Sequence, residues 1–383
     1  MPFVTIAIAL NMLPSNGGIT IGAVRIGRGD SEGANQVFMH AVTGSLLLGV
    51  TVTLIGTLLC GPIATILGAT ENYYQMTKDY LFWWSLFAIP NFLSVKFQGF
   101  CRNDGEPALV AKATVAGTIV NVFLDWLFVY PMQKGVAGAA VATGMSQVTT
   151  FIIVLLHFTG KRGILRICGF APQGRLYLSI VYRGTPEMIA QFSSPVMTLW
   201  MNRSLGQYIG DIGINSFSVI SYISSLTLTM LFGASEGMQP LLGQAYSAGK
   251  EKELHEYFRS GVLISTIGSA VIIALFMIFD VPAARLFGAK GEVLSEICKH
   301  ILPFSWGFVF AGANSMISSY LYSTMHSTSA ITLNIIRSFV TNTFAILVLP
   351  LIFGKSIIWY TYGISEVMVT VIAVIILKSF HAG

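Results

Sequence analysis

The sequence predicts an all-α integral membrane protein built from two similar helical lobes. Three observations lead there: a charge-poor, apolar composition, a train of apolar stretches of membrane-spanning length, and an internal repeat. Of 383 residues, 54% are hydrophobic and only 10% are charged, with a mean hydropathy of +0.71. Soluble domains run at about 25% charged. A water-soluble core of this size cannot hide so much apolar surface, so the solvent for most of these side chains is lipid.

Eleven stretches are long enough to span a bilayer at about 20 residues each. Their cores lie near 3–24, 37–59, 80–100, 110–131, 136–158, 187–206, 214–235, 258–280, 299–322, 329–353 and 357–379. Backbone in lipid must satisfy its own hydrogen bonds, which makes helices the expectation, and the alternating pattern of a barrel is absent. Gly, Ser and Thr recur in these cores, as in membrane helices that pack closely. With the loop at 25–36 taken as cytoplasmic, 15 of the 22 Lys and Arg fall inside and 7 outside, the inside set including Lys96, Lys161 and Arg162. That bias puts the C-terminus in the cytoplasm. The polar stretch 159–186 reads as a cytoplasmic linker between an N-terminal lobe, 1–158, and a C-terminal lobe, 187–383.

The two halves match at an offset of 220 residues: Gly17 with Gly237, Gly29 with Gly249, Phe38 with Phe258, Pro62 with Pro282, Gly68-Ala69 with Gly288-Ala289, and Ser85 with Ser305. After a one-residue slip, Pro131 pairs with Pro350, Gly135 with Gly354, Gly144 with Gly363, and Ser146-Gln147 with Ser365-Glu366. Such repeats mark transporter folds. The second half has six spans, and its first, at 187–206, shifts to a position before residue 1. The expectation is a six-plus-six parallel repeat whose first helix is missing here.

Other chemistries find no support. The net charge of +5 comes from loop residues and reads as membrane orientation, not nucleic-acid binding. Cys60, Cys101, Cys168 and Cys298 are far apart and suggest neither a disulfide framework nor a zinc site. The start, Met1-Pro2-Phe3, lacks the basic region of a secretory signal. His255 and His326 fall near loops, no HExxH or triad pattern occurs, and there is no Walker motif. Gly27-Arg28-Gly29-Asp30 reads as a turn, and Tyr73-Tyr74 and Trp83-Trp84 read as an interfacial belt.

Four carboxylates fall inside spans, where each costs about 2.5–3.5 kcal/mol on insertion scales. Asp125 follows Asn121 by one helical turn within Asn121-Val122-Phe123-Leu124-Asp125-Trp126. This acid and amide on one face could hold a small cation or exchange a proton, or could make a structural hydrogen bond to a neighbouring helix. Glu236, between Gly233-Ala234-Ser235 and Gly237-Met238-Gln239-Pro240, either lines a cavity or caps a kinked helix. Glu366 reads as an inter-helix clasp or a ligand, and Glu187, after Pro186, complements a helix start.

Several segments resemble the multidrug and toxic compound extrusion (MATE) family over essentially the whole chain. They are Gly17-Gly18 with Gly27-Arg28-Gly29-Asp30 and Ala34-Asn35; Arg102-Asn103-Asp104-Gly105-Glu106-Pro107; Asn121-Val122-Phe123-Leu124-Asp125; Gly138-Ala139-Ala140-Val141-Ala142-Thr143; and Gly237-Met238-Gln239-Pro240-Leu241-Leu242-Gly243 with Ala248-Gly249. The last is most similar to the branch of MepA-like and DinF-like proteins. The resemblance implies a V-shaped twelve-helix antiporter of the inner (plasma) membrane that exports amphipathic, often cationic, compounds in exchange for Na⁺ or H⁺. It implies no cofactor beyond that ion, and the expected state is a monomer.

By the resemblance, Asn121, Asp125 and Thr143 form the coupling site, able to take Na⁺. Gln147, Glu236, Gln239 and Glu366, with Met145 and Met238 as adaptable apolar surface, are candidates for the substrate pathway. The family's first helix, with a further site carboxylate, has no counterpart here. The alternatives are a lipid-linked oligosaccharide flippase of the same superfamily or an inactive truncated transporter. A flippase needs a basic cavity, for which only Arg203 and Arg337 stand out as intramembrane cations. A membrane enzyme would need an acid/base or metal cluster, and none is visible.

Overall fold

The computed structural model describes residues 2–67, 71–160, 163–169 and 171–381. Gly68-Ala69 of the repeat and Lys161 and Arg162 of the charge pattern lie outside the described residues. Among those described, every regular element is helical. The chain forms two compact units, Met1–Met188 and Ile189–Gly383.

The first unit contains α1 (Pro2–Gly27), α2 (Ser31–Leu58), the short α3 (Cys60–Ile66), α4 (Glu71–Leu86), α5 (Ala88–Asn103), α6 (Pro107–Val129), α7 (Gly135–Thr159) and most of α8 (Gly174–Ala190). The second contains α9 (Ser193–Tyr208), α10 (Asp211–Ser247), α11 (Glu251–Leu286), α12 (Gly291–Ser305), α13 (Phe308–Ser323), α14 (Ser327–Ile335), a π-helical turn (Ile336–Thr341), α15 (Asn342–Phe353), a 3₁₀ turn (Lys355–Tyr360) and α16 (Thr361–His381). Among the described residues eight helices are long and apolar enough to cross a membrane, or nine if α12 and α13, bent by 41°, make one span.

Proline explains where expected spans break. A proline at position i has no N–H for the carbonyl at i−4 and its ring crowds that carbonyl. The span expected at 80–100 breaks at Phe87, after the Leu86 carbonyl that Pro90 leaves free. The one expected at 187–206 breaks at Gln191–Phe192, where Pro195 does the same. In α11 the backbone leaves helical geometry at Phe279, next to the Ile278 carbonyl opposite Pro282.

The repeat is carried by backbone geometry. α2 and α11 begin at Ser31 and Glu251, α4 and α12 at Glu71 and Gly291, and α6 and α14 at Pro107 and Ser327, each 220 residues apart. Contacts repeat with the same spacing. Phe38 meets Phe100 edge-on with ring centroids 4.9 Å apart, and Phe258 meets Tyr320 at 4.8 Å. Thr114 donates to Gln98 at 3.3 Å, while Ser318 and Asn334 bond at 3.0–3.2 Å.

The turn before α6 closes through Glu106 N–H to the Cys101 carbonyl at 3.1 Å, and its partner through His326 N–H to the Leu321 carbonyl at 2.8 Å. Gly105 sits at φ +86° in the first turn; Met325 holds φ +68° in the second. Left-handed backbone is free for glycine and strained for methionine.

The polar stretch 159–186 is only partly loop. Its second part is the start of α8, which lies against α1: a side chain at Gly17 would strike the Ile180 carbonyl, and one at Gly184 the Leu13 backbone. Before α8 the chain is strapped to the first unit. Asp104 accepts from Ile164 N–H at 2.8 Å and contacts His157 Nε2 at 2.7 Å. Asn35 accepts from Arg166 N–H at 2.6 Å. His40 donates from Nδ1 to the Gln36 carbonyl and accepts the Gln173 N–H on Nε2, at 2.7 and 2.9 Å.

The left-handed pair yields an asymmetric expectation. Gly105→Met should cost about 1–2 kcal/mol of stability, whereas Met325→Gly should leave stability unchanged or raise it. Thermal unfolding of both variants in detergent checks this, and equal losses at the two turns would contradict it.

Candidate functional site in the helix bundle

In the first unit α6 and α7 run side by side because Gly117 of α6 has no side chain to hold them apart; a Cβ there would crowd Ser146 and Thr150 of α7. Thr150 bridges the pair, donating to the Ala113 carbonyl at 3.3 Å and to Ser146 O at 3.1 Å. On α6, Asn121 and Asp125 stand one turn apart and half-buried, among the exposed Val122, Phe123 and Trp126. Asp125 Oδ1 and Asn121 Nδ2 are shielded from solvent; the amide is the polar neighbour of the carboxylate, but the two form no hydrogen bond of full geometry. Buried polar atoms are rarely left this way, and each such atom costs about 1–3 kcal/mol, more if charged. Thr143 is exposed on α7, with the exposed Met145 and half-buried Gln147 further along the same helix. A groove of about 470 Å³ runs over Thr118, Ile119, Val122, Phe123 and Trp126 on α6. A smaller cavity of about 290 Å³ is lined by Trp83, Phe128, Met132, Lys134, Ala137, Gly138 and Val141.

The second unit places its acids differently. Glu236 is exposed on α10 between Gly233 and Gly237, neither of which meets any atom within 4 Å of a would-be side chain. Gln239 is buried, and Met238 packs partly buried beside Leu242 and Met316. Glu366 is 2% exposed. Its Oε1 accepts from Arg337 Nε and lies 3.0 Å from Nη2 of the same guanidinium, while Asn314 donates to its Oε2 at 2.8 Å. Arg337 also donates to the Ala311 carbonyl at 3.4 Å and stands over the Phe232 ring at 5.8 Å. Arg203, the other expected intramembrane cation, is exposed on α9 beside Trp200.

Lys96 has a setting that the charge pattern does not show. Counted above among cytoplasmic charges, it lies in the middle of α5, fully buried, with no hydrogen-bond partner for its ammonium. The signal was present in Phe92-Leu93-Ser94-Val95-Lys96-Phe97, where one charge interrupts an apolar run. Among the described residues no three His, Cys, Asp or Glu side chains are grouped to hold a metal. The oxygens at Asp125, Asn121 and Thr143 are of the hard kind that suits a small cation.

The family model MatE matches residues 1–127 and 186–348. The chain is 24% identical over 296 residues to the multidrug export protein MepA of Staphylococcus saprophyticus, covering 77% of this chain and 63% of that protein. It thus spans less than two thirds of that relative's length. It is 22% identical over 324 residues to MepA of a bovine strain of Staphylococcus aureus, covering 82% of this chain and 71% of that one. Two solved structures share the fold at 22% identity, each with a TM-score of 0.91 and covering 100% of this chain. One is a crystal structure of MATE in complex with MaL6, covered to 88%; the other is the outward-facing conformation of a multidrug resistance MATE family transporter of the MOP superfamily, covered to 87%.

The residue at the repeat position of Lys96 is Met316, also fully buried. Lys96→Met is therefore expected to fit and to raise stability by on the order of 1–3 kcal/mol, the cost of an unsatisfied buried group. A lower melting temperature for this variant would mean that the ammonium is matched by a group outside this conformation.

Proposed function

Because the chain belongs to the MatE family, we propose that it is a secondary multidrug exporter that moves amphipathic, cationic compounds out of the cell in exchange for Na⁺ or H⁺ by alternating access. The observation that carries this reading is the state of Asp125. Its Oδ1 is the one carboxylate oxygen, among the described residues, that is buried and without a hydrogen bond. A transport protein needs an acid that is unsatisfied when empty and satisfied by an ion, and a purely structural acid would be bonded already.

In this reading Asp125 takes the proton or, with the carbonyl oxygen of the Asn121 amide and the Thr143 hydroxyl, the Na⁺. The ion drives the cycle only through different affinity for outward and inward states. Glu236 supplies negative charge for a cationic compound. Gln147, Met145 and Met238 supply polar contact and adaptable apolar surface along the pathway. Gln239 and Glu366 are 3% and 2% exposed, so they join that pathway only in another conformation. The stretch 159–186 serves as the cytoplasmic connection between lobes 1–158 and 187–383. The protein works as a monomer in the plasma membrane with its C-terminus in the cytoplasm, and the names of the MepA relatives support export as its task.

Ethidium efflux from vesicles under an imposed Na⁺ or proton gradient tests the assignment. Asp125→Asn is expected to bring gradient-driven efflux to background while the protein remains folded. Undiminished efflux from that variant would remove Asp125 from the coupling site.

A further inference from the structure

Aligned by the repeat, the two units treat equivalent ground differently. Arg337 stands 220 positions after Gly117, and Glu366 stands 219 after Gln147. In the first unit the crossing of α6 and α7 is closed by a glycine. In the second unit an arginine occupies the matching crossing, and the helix that bears it widens into the π turn Ile336–Thr341, whereas α6 is α-helical from Pro107 to Val129. A π turn accommodates an extra residue and often marks a functional position. Here the wider turn carries a guanidinium that is 8% exposed and aimed at α13 and α16.

What the guanidinium meets has a familiar composition. Asn314 donates to Glu366 Oε2 at 2.8 Å and to the Glu366 carbonyl at 2.9 Å, and Thr370 donates to Asn314 Oδ1 at 2.9 Å. An acid, an amide and a threonine hydroxyl are thus brought together in the second unit, the same three side-chain types as Asp125, Asn121 and Thr143 in the first. The difference lies in what answers the acid. Asp125 Oδ1 has no hydrogen bond. Glu366 already has a cation, with Arg337 Nε and Nη2 both 3.0 Å from Oε1. Its other carboxylate oxygen accepts from Asn314, so both oxygens are already engaged and the charge is already matched.

We propose that Arg337 is a resident counter-ion. It does for Glu366 what a mobile Na⁺ or proton does for an unpaired acid, and while the pair is intact it closes the second unit's acid–amide–threonine group to both. Combined with the coupling role of Asp125, on whose reading this last step rests, the ion enters at the first unit and not at Glu366. Arg337 is a positioning residue in this scheme: it acts on ions through Glu366 and touches neither ion nor drug.

The test is ion-dependent thermal stability and ²²Na⁺ binding of the purified protein, with Arg337→Gln, Arg337→Lys, Glu366→Gln and the double variant Arg337→Gln/Glu366→Gln. The wild type should show no ion response that Glu366→Gln removes. Arg337→Gln should gain a new response, with its melting temperature rising on addition of Na⁺ or acid, and Glu366→Gln should abolish that gain in the double variant. Arg337→Lys, which keeps the charge, should behave as wild type. If Arg337→Gln does not fold alone, recovery in Na⁺ or acid, or through the added Glu366→Gln, supports the proposal; no recovery by either route overturns it.

A folded Arg337→Gln indifferent to both ions also overturns it, as does a wild-type ion response that depends on Glu366. None of these readouts involves drug movement or Asp125. An unaltered efflux by Asp125→Asn would therefore remove the first-unit entry of the ion and leave the counter-ion role of Arg337 standing.

Discussion

A carboxylate inside a helix bundle surrounded by lipid can give its charge only to another group of the protein or to an ion that comes and goes. Much of this fold can be read as two answers to that requirement. In the second unit the answer is built in. The guanidinium, the amide of Asn314 and the acid of Glu366 tie α13, the π turn and α16 together. Removing one partner of such a buried pair is far more damaging than replacing both. In the first unit the acid on α6 is left open beside a groove, on a helix whose only buried residues are Val110, Ala113 and Gly117.

The rest of the packing serves close helix approach. Water cannot press membrane helices together, so contact depends on small residues and on hydrogen bonds between helices. The crossings at Gly17 and Gly184, between α1 and α8, and at Gly117, between α6 and α7, are of this kind. Asn103 Nδ2 donates to the Ile19 carbonyl at 2.8 Å, and Ser45 to Asn11 at 3.0 Å, fastening α1 to α5 and α2. A rigid cluster of Phe38, Phe97, Phe100 and Phe158 fills the space these crossings enclose.

The helical membrane class and the repeat were legible because both leave marks that need no long-range knowledge. Charge scarcity is a property of composition, and Gly29 and Gly249 each mark a turn that demands positive φ, +74° and +69° in the structure. The spans at 80–100 and 187–206 were read as continuous because hydropathy averages over a break, while the prolines that cause the breaks act on single carbonyls. That Asp125 lies among apolar flanks with Asn121 one turn before it was visible in the sequence. The pairing of Arg337 with Glu366 was not, because 29 residues and two helix ends separate them and nothing local says which faces meet. The burial of Lys96 was not legible for a related reason: a count of charges by the nearest helix end gives a side of the membrane and says nothing of what a side chain packs against.

The strap between α7 and α8 bears on how the two units are joined. Ile164, Arg166 and Gln173 are tied to the first unit through Asp104, Asn35 and His40, and α8 continues along α1. The chain passes from the first unit to the second at Met188–Ile189, inside α8. A backbone cut within the strap would leave both new ends held by their own hydrogen bonds, so a nicked chain would still behave as one molecule.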